Sequence, residues 1–327
     1  MKALVYTAPN EVTYRDEPPP SRGAEEVLLR IDAVGICGSD MHAYHGHDPR
    51  RVPPLILGHE LSARVVEGPG EGRRVTVNPL ITCGRCEYCA QGRDNLCARR
   101  TMIGMTRPGG FAELMTTAAS SVIDIPQDIS VRAAALTEPA ATALHAIAIA
   151  TRALVRPLPE CTVLVLGGGA IGMLATLLLR SYGVRRISVG ETNALRRTAL
   201  AKATHAHVYD PVREQPSCAD LVLDAVGAKA TRNTALSAVR PGGVVMHVGL
   251  LDWASEIDMR KLTLAEITLI GTYTYTTADL RAAVAALAAG AFGDLAWVEE
   301  RPLADGAAAF RDLHEGRSAA AKIILCP

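Results

Sequence analysis

What this 327-residue chain lacks narrows its role before any motif is read. It has no excess of charge, since 34 Lys and Arg balance 34 Asp and Glu for a formal net charge of zero. Such a chain carries no basic footprint for a phosphate backbone, which argues against nucleic acid as its main partner. It has no apolar run as long as a transmembrane span. Its start, Met1-Lys2-Ala3-Leu4-Val5-Tyr6, reads as a strand without the hydrophobic stretch of a signal peptide. A cytoplasmic protein with no membrane partner is therefore expected. Internal repeats and disordered tracts are also lacking, and the length exceeds one ordinary core, so two domains are expected.

What is present is punctuated by glycine and cysteine. Val163-Leu164-Val165-Leu166 is a short apolar run with two β-branched valines, the pattern of a buried strand. Gly167 breaks it, and a helical pattern starts at once through Ile171, Leu174, Ala175 and Leu178. Gly167, Gly169 and Gly172 stand in G-x-G-x-x-G register. The first permits a tight turn, the second lets backbone approach a pyrophosphate, and the third lets helix lie close on strand. The phosphates would sit at the helix N-terminus, beside Ala170 and Ile171, where free N–H groups and the dipole favour anions.

From about Cys161 the chain reads as βα units, which predicts a doubly wound parallel sheet of the α/β class. Strands are expected at 162–166, 186–190, 207–209, 221–225, 243–248 and 267–272, with Ala-rich helices between them and a helix over Leu280–Gly290. The second strand runs into Glu191, nineteen residues past Gly172. An acidic side chain there can accept both ribose hydroxyls of NAD and repel a 2′-phosphate. Arg185, Arg186, Arg196 and Arg197 pull the other way, because any of them could face that phosphate; NAD is favoured over NADP. Val226, Val248 and Gly249 follow the fourth and fifth strands at their carboxyl ends, where ligands bind in open sheets.

The cysteines point to metal more than to disulfides. Cys83, Cys86, Cys89 and Cys97 form C-x2-C-x2-C-x7-C. Four thiolates so close can complete a tetrahedron around one Zn²⁺. The competing reading is an iron–sulfur cluster, but the ferredoxin run continues x3-C-P, and here the continuation is x7-C-A with no second set. Cys37 and His59 are a soft and a borderline donor on separate loops, suited to zinc. Cys161, Cys218 and Cys326 have no metal spacing and read as buried or incidental thiols. His42, His45 and His47 make H-x2-H-x-H, which is open to a further metal site, although solvated loop histidines are the expected reading.

Taken together, G-I-C-G-S-D-x-H (35–42), G-H-E (58–60), the four-cysteine lobe, G-G-F-A-E (Gly109–Glu113) and the central glycine turn resemble the zinc-dependent medium-chain dehydrogenases. The polyol (sorbitol-like) and threonine dehydrogenase branch is the most similar. The resemblance implies a GroES-like β-rich catalytic domain (1–145 and 285–327, zinc lobe 83–97) around a Rossmann domain (146–284), with the active site in the cleft. Ala321–Leu325 would be the strand returning to the catalytic domain. It implies two zinc ions per chain, one catalytic and one structural. Cys37 and His59 would be catalytic ligands, and Glu60 a third ligand or a close carboxylate. Glu138, where alcohol dehydrogenases of the family have cysteine, would either touch zinc or hold a water on it. Ser39 and His42 match the family's proton relay, Arg196 joins the cofactor set, and the backbone at Thr272 and Tyr273 would flank the nicotinamide.

The activity so implied is hydride transfer from a secondary alcohol (polyol, sugar or cyclitol) to NAD(P)⁺, by a dimer or tetramer meeting along the 243–248 to 272 edge. Zinc would lower the alcohol's pKa, and Ser39 and His42 would carry the proton out. Two alternatives are weaker. A zinc-free quinone or enone reductase lacks the cysteine lobe and the Cys37/His59 pair, and a non-catalytic zinc-lobed nucleotide-binding scaffold need not keep Ser39 and Glu60. One departure stands out: Ala63 occupies a position where relatives have glycine, so an altered local backbone is expected. Pocket-shaping loops are expected around 42–52, 102–106 and 272–276, where Tyr44, His45 and Tyr275 fit hydroxyl-rich substrates only loosely.

Overall fold

The computed structural model describes every residue except Ser217. Two sheets organise it. The second half builds six parallel strands in the order His207–Tyr209, Arg186–Gly190, Thr162–Leu166, Ala219–Asp224, Val239–His247, Thr268–Gly271. The order runs outward in both directions from Thr162–Leu166, so the first strand's carboxyl end lies at the point of reversal, where open α/β sheets bind ligands. Three of the expected strands match to the residue. The fourth and fifth begin earlier, because Ala219 pairs with Val239 across a register shift.

The first half is β-rich. Its main sheet runs Val122–Asp124, Arg74–Val77, Glu60–Glu67, Glu26–Gly35, Lys322–Cys326, Val298–Pro302, with Leu114–Ala118 branching from Glu26–Gly35. The C-terminal strand therefore returns to the N-terminal sheet, Leu325 opposite Val34, as its apolar run Ile323-Ile324-Leu325 requires for burial. Ala63 lies within the extended strand Glu60–Glu67, opposite Ile31 and Val75 and fully buried. Its methyl group takes part in the core, so the missing glycine leaves the strand intact.

The two halves share a core. The helix Thr137–Ala153 buries Ala140, Ala141, Ala143, Ala146 and Ala150 among residues of the parallel sheet, including Val163 and Val165. Small side chains let it lie close to the helices Ala170–Ser181 and Thr277–Ala288. This helix runs through 145/146 without a break. Its first turn carries Glu138 into the gap between the halves.

Candidate active site

Cys37 caps the short helix Gly38–Tyr44. Asp40 completes the cap by accepting from the Cys37 N–H at 3.0 Å. This fixes the Cys37 side chain at the end of Glu26–Gly35, while His59 and Glu60 enter at the start of the paired strand, Gly35 opposite Glu60. Donor atoms of Cys37, His59 and Glu60 consequently lie within 4.8 Å of one another. Gly35 is needed for space: a Cβ there would lie 2.4 Å from Glu60 Oε2.

The trio has the character of a metal site in its unsatisfied atoms as well as its geometry. His59 Nδ1 and Asp40 Oδ1 are buried without a hydrogen bond, 3.5 Å apart. Asp40 thus faces Nδ1, so that Nε2, whose hydrogen-bond partner is Ser39 Oγ at 3.4 Å, is the nitrogen left to ligate, the arrangement by which a carboxylate orients a ligating imidazole. Burial pulls His59 down, but the Asp40 charge and the Cys37 sulfur outweigh it and hold the imidazole well above its ordinary value. The buried Lys322 ammonium donates to Glu60 Oε2 at 2.5 Å and to the Ile36 carbonyl at 2.8 Å. Sulfur, imidazole and carboxylate together are a donor set zinc accepts.

Glu138 is outside that trio. It is buried, and its Oε1 accepts from the Tyr275 hydroxyl at 2.8 Å. Burial, with Glu60 adding to it, pushes its carboxyl up to about 7, and burial pushes Tyr275 well above its ordinary value. Tyr275 is therefore tied up inside the site and does not line an open pocket.

Ser39 and His42 lie three residues apart on the same helix and so share a face. Ser39 Oγ is 3.4 Å from His59 Nε2 and accepts from Arg51 Nη2 at 3.2 Å. Arg51 is itself buried, donating to the Gly104 carbonyl at 3.1 Å and to Asp48 at 2.5 Å. His42 is half-buried, and burial lowers its pKa.

The four lobe cysteines also converge within 4.8 Å. The Arg85 N–H draws the Cys83 thiol down to about 5, whereas desolvation and the neighbouring Cys86 push Cys89 up to about 11. Four thiolates cannot coexist at this spacing without a cation, which the site is shaped to take. The lobe is clasped to the cofactor side of the cleft. Asp94 accepts from the Thr277 N–H at 3.2 Å and from its hydroxyl, Asn95 donates to the Tyr273 carbonyl at 2.8 Å, and Arg100 lies over the Tyr273 ring at 4.6 Å.

The glycine turn fits a dinucleotide. Gly167 has φ +95°, and a Cβ on Gly172 would lie 1.8 Å from the Gly167 carbonyl oxygen. A Cβ on Gly169 would meet nothing within 4 Å, so protein leaves open the space a pyrophosphate needs, at the start of Ala170–Ser181. Glu191 is buried, accepting from the Gly168 N–H at 2.8 Å and the Asn193 N–H at 2.7 Å. Of the four arginines, Arg196 approaches it at 3.8 Å. Arg197 donates to the Glu191 and Thr192 carbonyls, Arg186 to Thr162 at 3.0 Å at the far end of the strand, and Arg185 is exposed. Val226 and Gly227 receive the Asp224 side chain on their N–H groups, while Val248 and Gly249 donate to its backbone oxygen, drawing the two loops together. The Thr272 hydroxyl is buried without a partner among the described residues.

Asp40, Arg51, Lys322 and the clasp residues Asp94 and Asn95 carry no assignment in the sequence reading. Asp40 stands inside the quoted motif; the others have no local signal, because their partners lie up to 262 residues away.

Residues 23–127 match the alcohol dehydrogenase GroES-like domain, and residues 170–289 match the zinc-binding dehydrogenase family. The chain is 32% identical to L-galactonate-5-dehydrogenase of Escherichia coli K12 over 85% of each chain. Among solved structures it is similar to a zinc-binding dehydrogenase of Sinorhizobium meliloti 1021 bound to NADP, at 28% identity and TM-score 0.87, covering 100% of this chain and 99% of that one. It is also similar to acetophenone reductase of Geotrichum candidum in complex with NAD, at 27% identity and TM-score 0.89, covering 100% and 97%.

Proposed function

This chain belongs to the zinc-dependent medium-chain dehydrogenases, and we propose that its alcohol substrate is a secondary alcohol of the polyol, sugar or cyclitol type. Cys37, His59 and Glu60 would hold the catalytic zinc, with Asp40 orienting His59. Zinc held there would supply a Lewis acid for the alcohol oxygen, and a nicotinamide cofactor at the glycine turn would supply the hydride acceptor. Ser39 takes the hydroxyl proton at Oγ, and His42, on the same helix face, passes it toward solvent. Arg51 fixes one lone pair of Ser39 Oγ, so the remaining lone pair and the hydroxyl hydrogen are left for this transfer. Lys322 holds Glu60, and Tyr275 holds Glu138 beside the trio. Cys83, Cys86, Cys89 and Cys97 would hold a second, structural zinc. The convergence of Cys37, His59 and Glu60 beside Ser39 is the observation that carries the reading.

NAD is the preferred cofactor on this reading. A carboxylate has about four acceptor sites; Glu191 spends two on backbone N–H groups and one on the Thr192 hydroxyl and keeps an acceptor for a ribose, while Arg196 is the arginine that approaches its carboxylate. The division into 1–145 with 285–327 and 146–284 follows the two sheets. The assembly is a homo-oligomer, a dimer or tetramer. Thr268–Gly271 ends the parallel sheet, and Leu250, Leu251, Trp253, Met259 and Leu264 are exposed in the segments leading to it. Such an apolar edge calls for a cover.

The deciding experiment is a panel of polyols, amino-alcohols and simple alcohols with NAD⁺ and NADP⁺, run on wild type, Cys37→Ser and Cys83→Ser. Cys37→Ser loses turnover and keeps its fold, whereas Cys83→Ser chiefly loses stability. Wild-type turnover in a folded Cys37→Ser protein contradicts the mechanism.

A further inference from the structure

Four of the chain's nine histidines gather at one place outside the two groups already described. His42, His45 and His47 come from one loop, and His314 reaches them from 269 residues away. His45 Nε2 and His314 Nδ1 are 2.9 Å apart, their ring centroids are 5.0 Å apart, and the His47 ring is 5.6 Å from that of His45. His314 and His47 are exposed and His45 is half-buried, so the group is open to solvent.

We propose that the facing pair His45 and His314 forms a binding site for a divalent transition-metal ion separate from both zinc sites, with water completing the coordination and the His47 ring at its edge. Three independent features support it. Two cis ligands in a tetragonal site with bonds of about 2.0–2.1 Å are about 2.9 Å apart, so the pair already has the spacing that Ni²⁺ or Cu²⁺ takes. Zinc's tetrahedron needs the nitrogens only about 0.4 Å further apart. His45 caps the carboxyl end of Gly38–Tyr44, and His314 is the last residue of Gly306–His314. Each ring therefore comes from a helix C-terminus, the end whose dipole favours a cation. Among the described residues no carboxylate or other side chain is hydrogen-bonded to either ring, and burial with the neighbouring imidazoles lowers the pKa of His45, which keeps it a neutral donor. Moving the one shared proton to the other nitrogen of its own ring leaves both facing lone pairs free.

Occupancy would tie the helix that begins at Cys37 and carries Ser39 and His42 to the C-terminal helix, and the His47 N–H already donates to the His42 carbonyl at 2.9 Å. The test uses tag-free, zinc-replete protein and NiCl2, because Ni²⁺ does not oxidise the thiols. Calorimetric titration is paired with metal analysis after gel filtration. One Ni²⁺ per chain is expected with zinc content unchanged. His314→Ala alters an exposed helix end and should weaken the binding by at least the ~10-fold that losing even an outer partner of a metal ligand costs. His207→Ala, whose ring pairs with Glu214 elsewhere on the surface, should leave it unaltered. Absence of added Ni²⁺, Ni²⁺ gained only as zinc is lost, or equal uptake by His314→Ala overturns the proposal.

Discussion

Replacing Lys322 by Met tests how the trio is held together. Lys322 and Glu60 are 2% and 1% exposed, their charged atoms are 2.5 Å apart, and the ammonium's other contact is the Ile36 carbonyl. Removing the cation leaves a carboxylate buried without its partner, and breaking such a pair costs about 3–5 kcal/mol. The methionine fills most of the vacated volume, so little of that loss comes from a cavity. Neutralising Glu60 as well should recover much of it: Glu60→Gln/Lys322→Met should be more stable than Lys322→Met by about 2 kcal/mol or more. The assay is urea unfolding of chelator-treated protein followed by Trp297 fluorescence. Trp297 is buried and precedes Val298, which pairs directly with Lys322 in the sheet, so the probe reports on the strand that is perturbed. In zinc-replete protein the ion also offsets the Glu60 charge, and the cost of Lys322→Met should fall by about 1.4 kcal/mol or more, a tenfold change. A loss within about 0.5 kcal/mol of zero, the range of ordinary surface changes, refutes the reasoning, as does a double variant no more stable than the single one.

Gly172→Ala and Gly169→Ala should fail differently. The first drives a methyl group into the Gly167 carbonyl and should lower stability by about 1–3 kcal/mol as well as NADH affinity, whereas the second meets only open space and should lose affinity at unchanged stability. NADH fluorescence titration and thermal unfolding separate them. The Asp279 carboxyl is held down to about 2, against burial, by His145 at 2.7 Å and by Thr276. Its folded value lies below the unfolded one, so its stabilisation is complete above about pH 4 and is lost as pH falls through about 2. With this side chain 19% exposed, Asp279→Asn should cost about 1–2 kcal/mol at pH 6, and the difference from wild type should shrink on acidification; a gap independent of pH contradicts the assignment. Trp253 is 86% exposed in the segment leading to the sheet edge, so on the proposed oligomer Trp253→Lys should reduce the sedimentation coefficient, and an unchanged value contradicts an interface at that edge.

Much of the molecule could be read from local pattern. The strand Thr162–Leu166 and its glycine turn were identifiable because the strand's apolar run, the left-handed turn at Gly167 and the close contact at Gly172 all depend on neighbours within ten residues. The four-cysteine lobe was legible for the same reason: its cysteines span fifteen residues, and their spacing is what suits them to a metal. Cys37, His59 and Glu60 were recognised as separate motifs, but the sheet brought them together, through the pairing of Gly35 with Glu60.

What the tertiary structure alone decided is the set of partners. Lys322 sits in an apolar C-terminal strand, and nothing near it in sequence indicates that it answers a carboxylate 262 residues earlier. Tyr275 reads as a pocket residue until the fold buries its hydroxyl on Glu138, and His45 reads as a solvated loop histidine until the fold brings His314 to it from 269 residues away. Periodicity and glycine placement are consequences of one chain segment satisfying its own backbone, and so they are written locally. A buried charge or a free imidazole must be matched by whatever the packing of distant elements brings within reach, and any of several positions could supply the match.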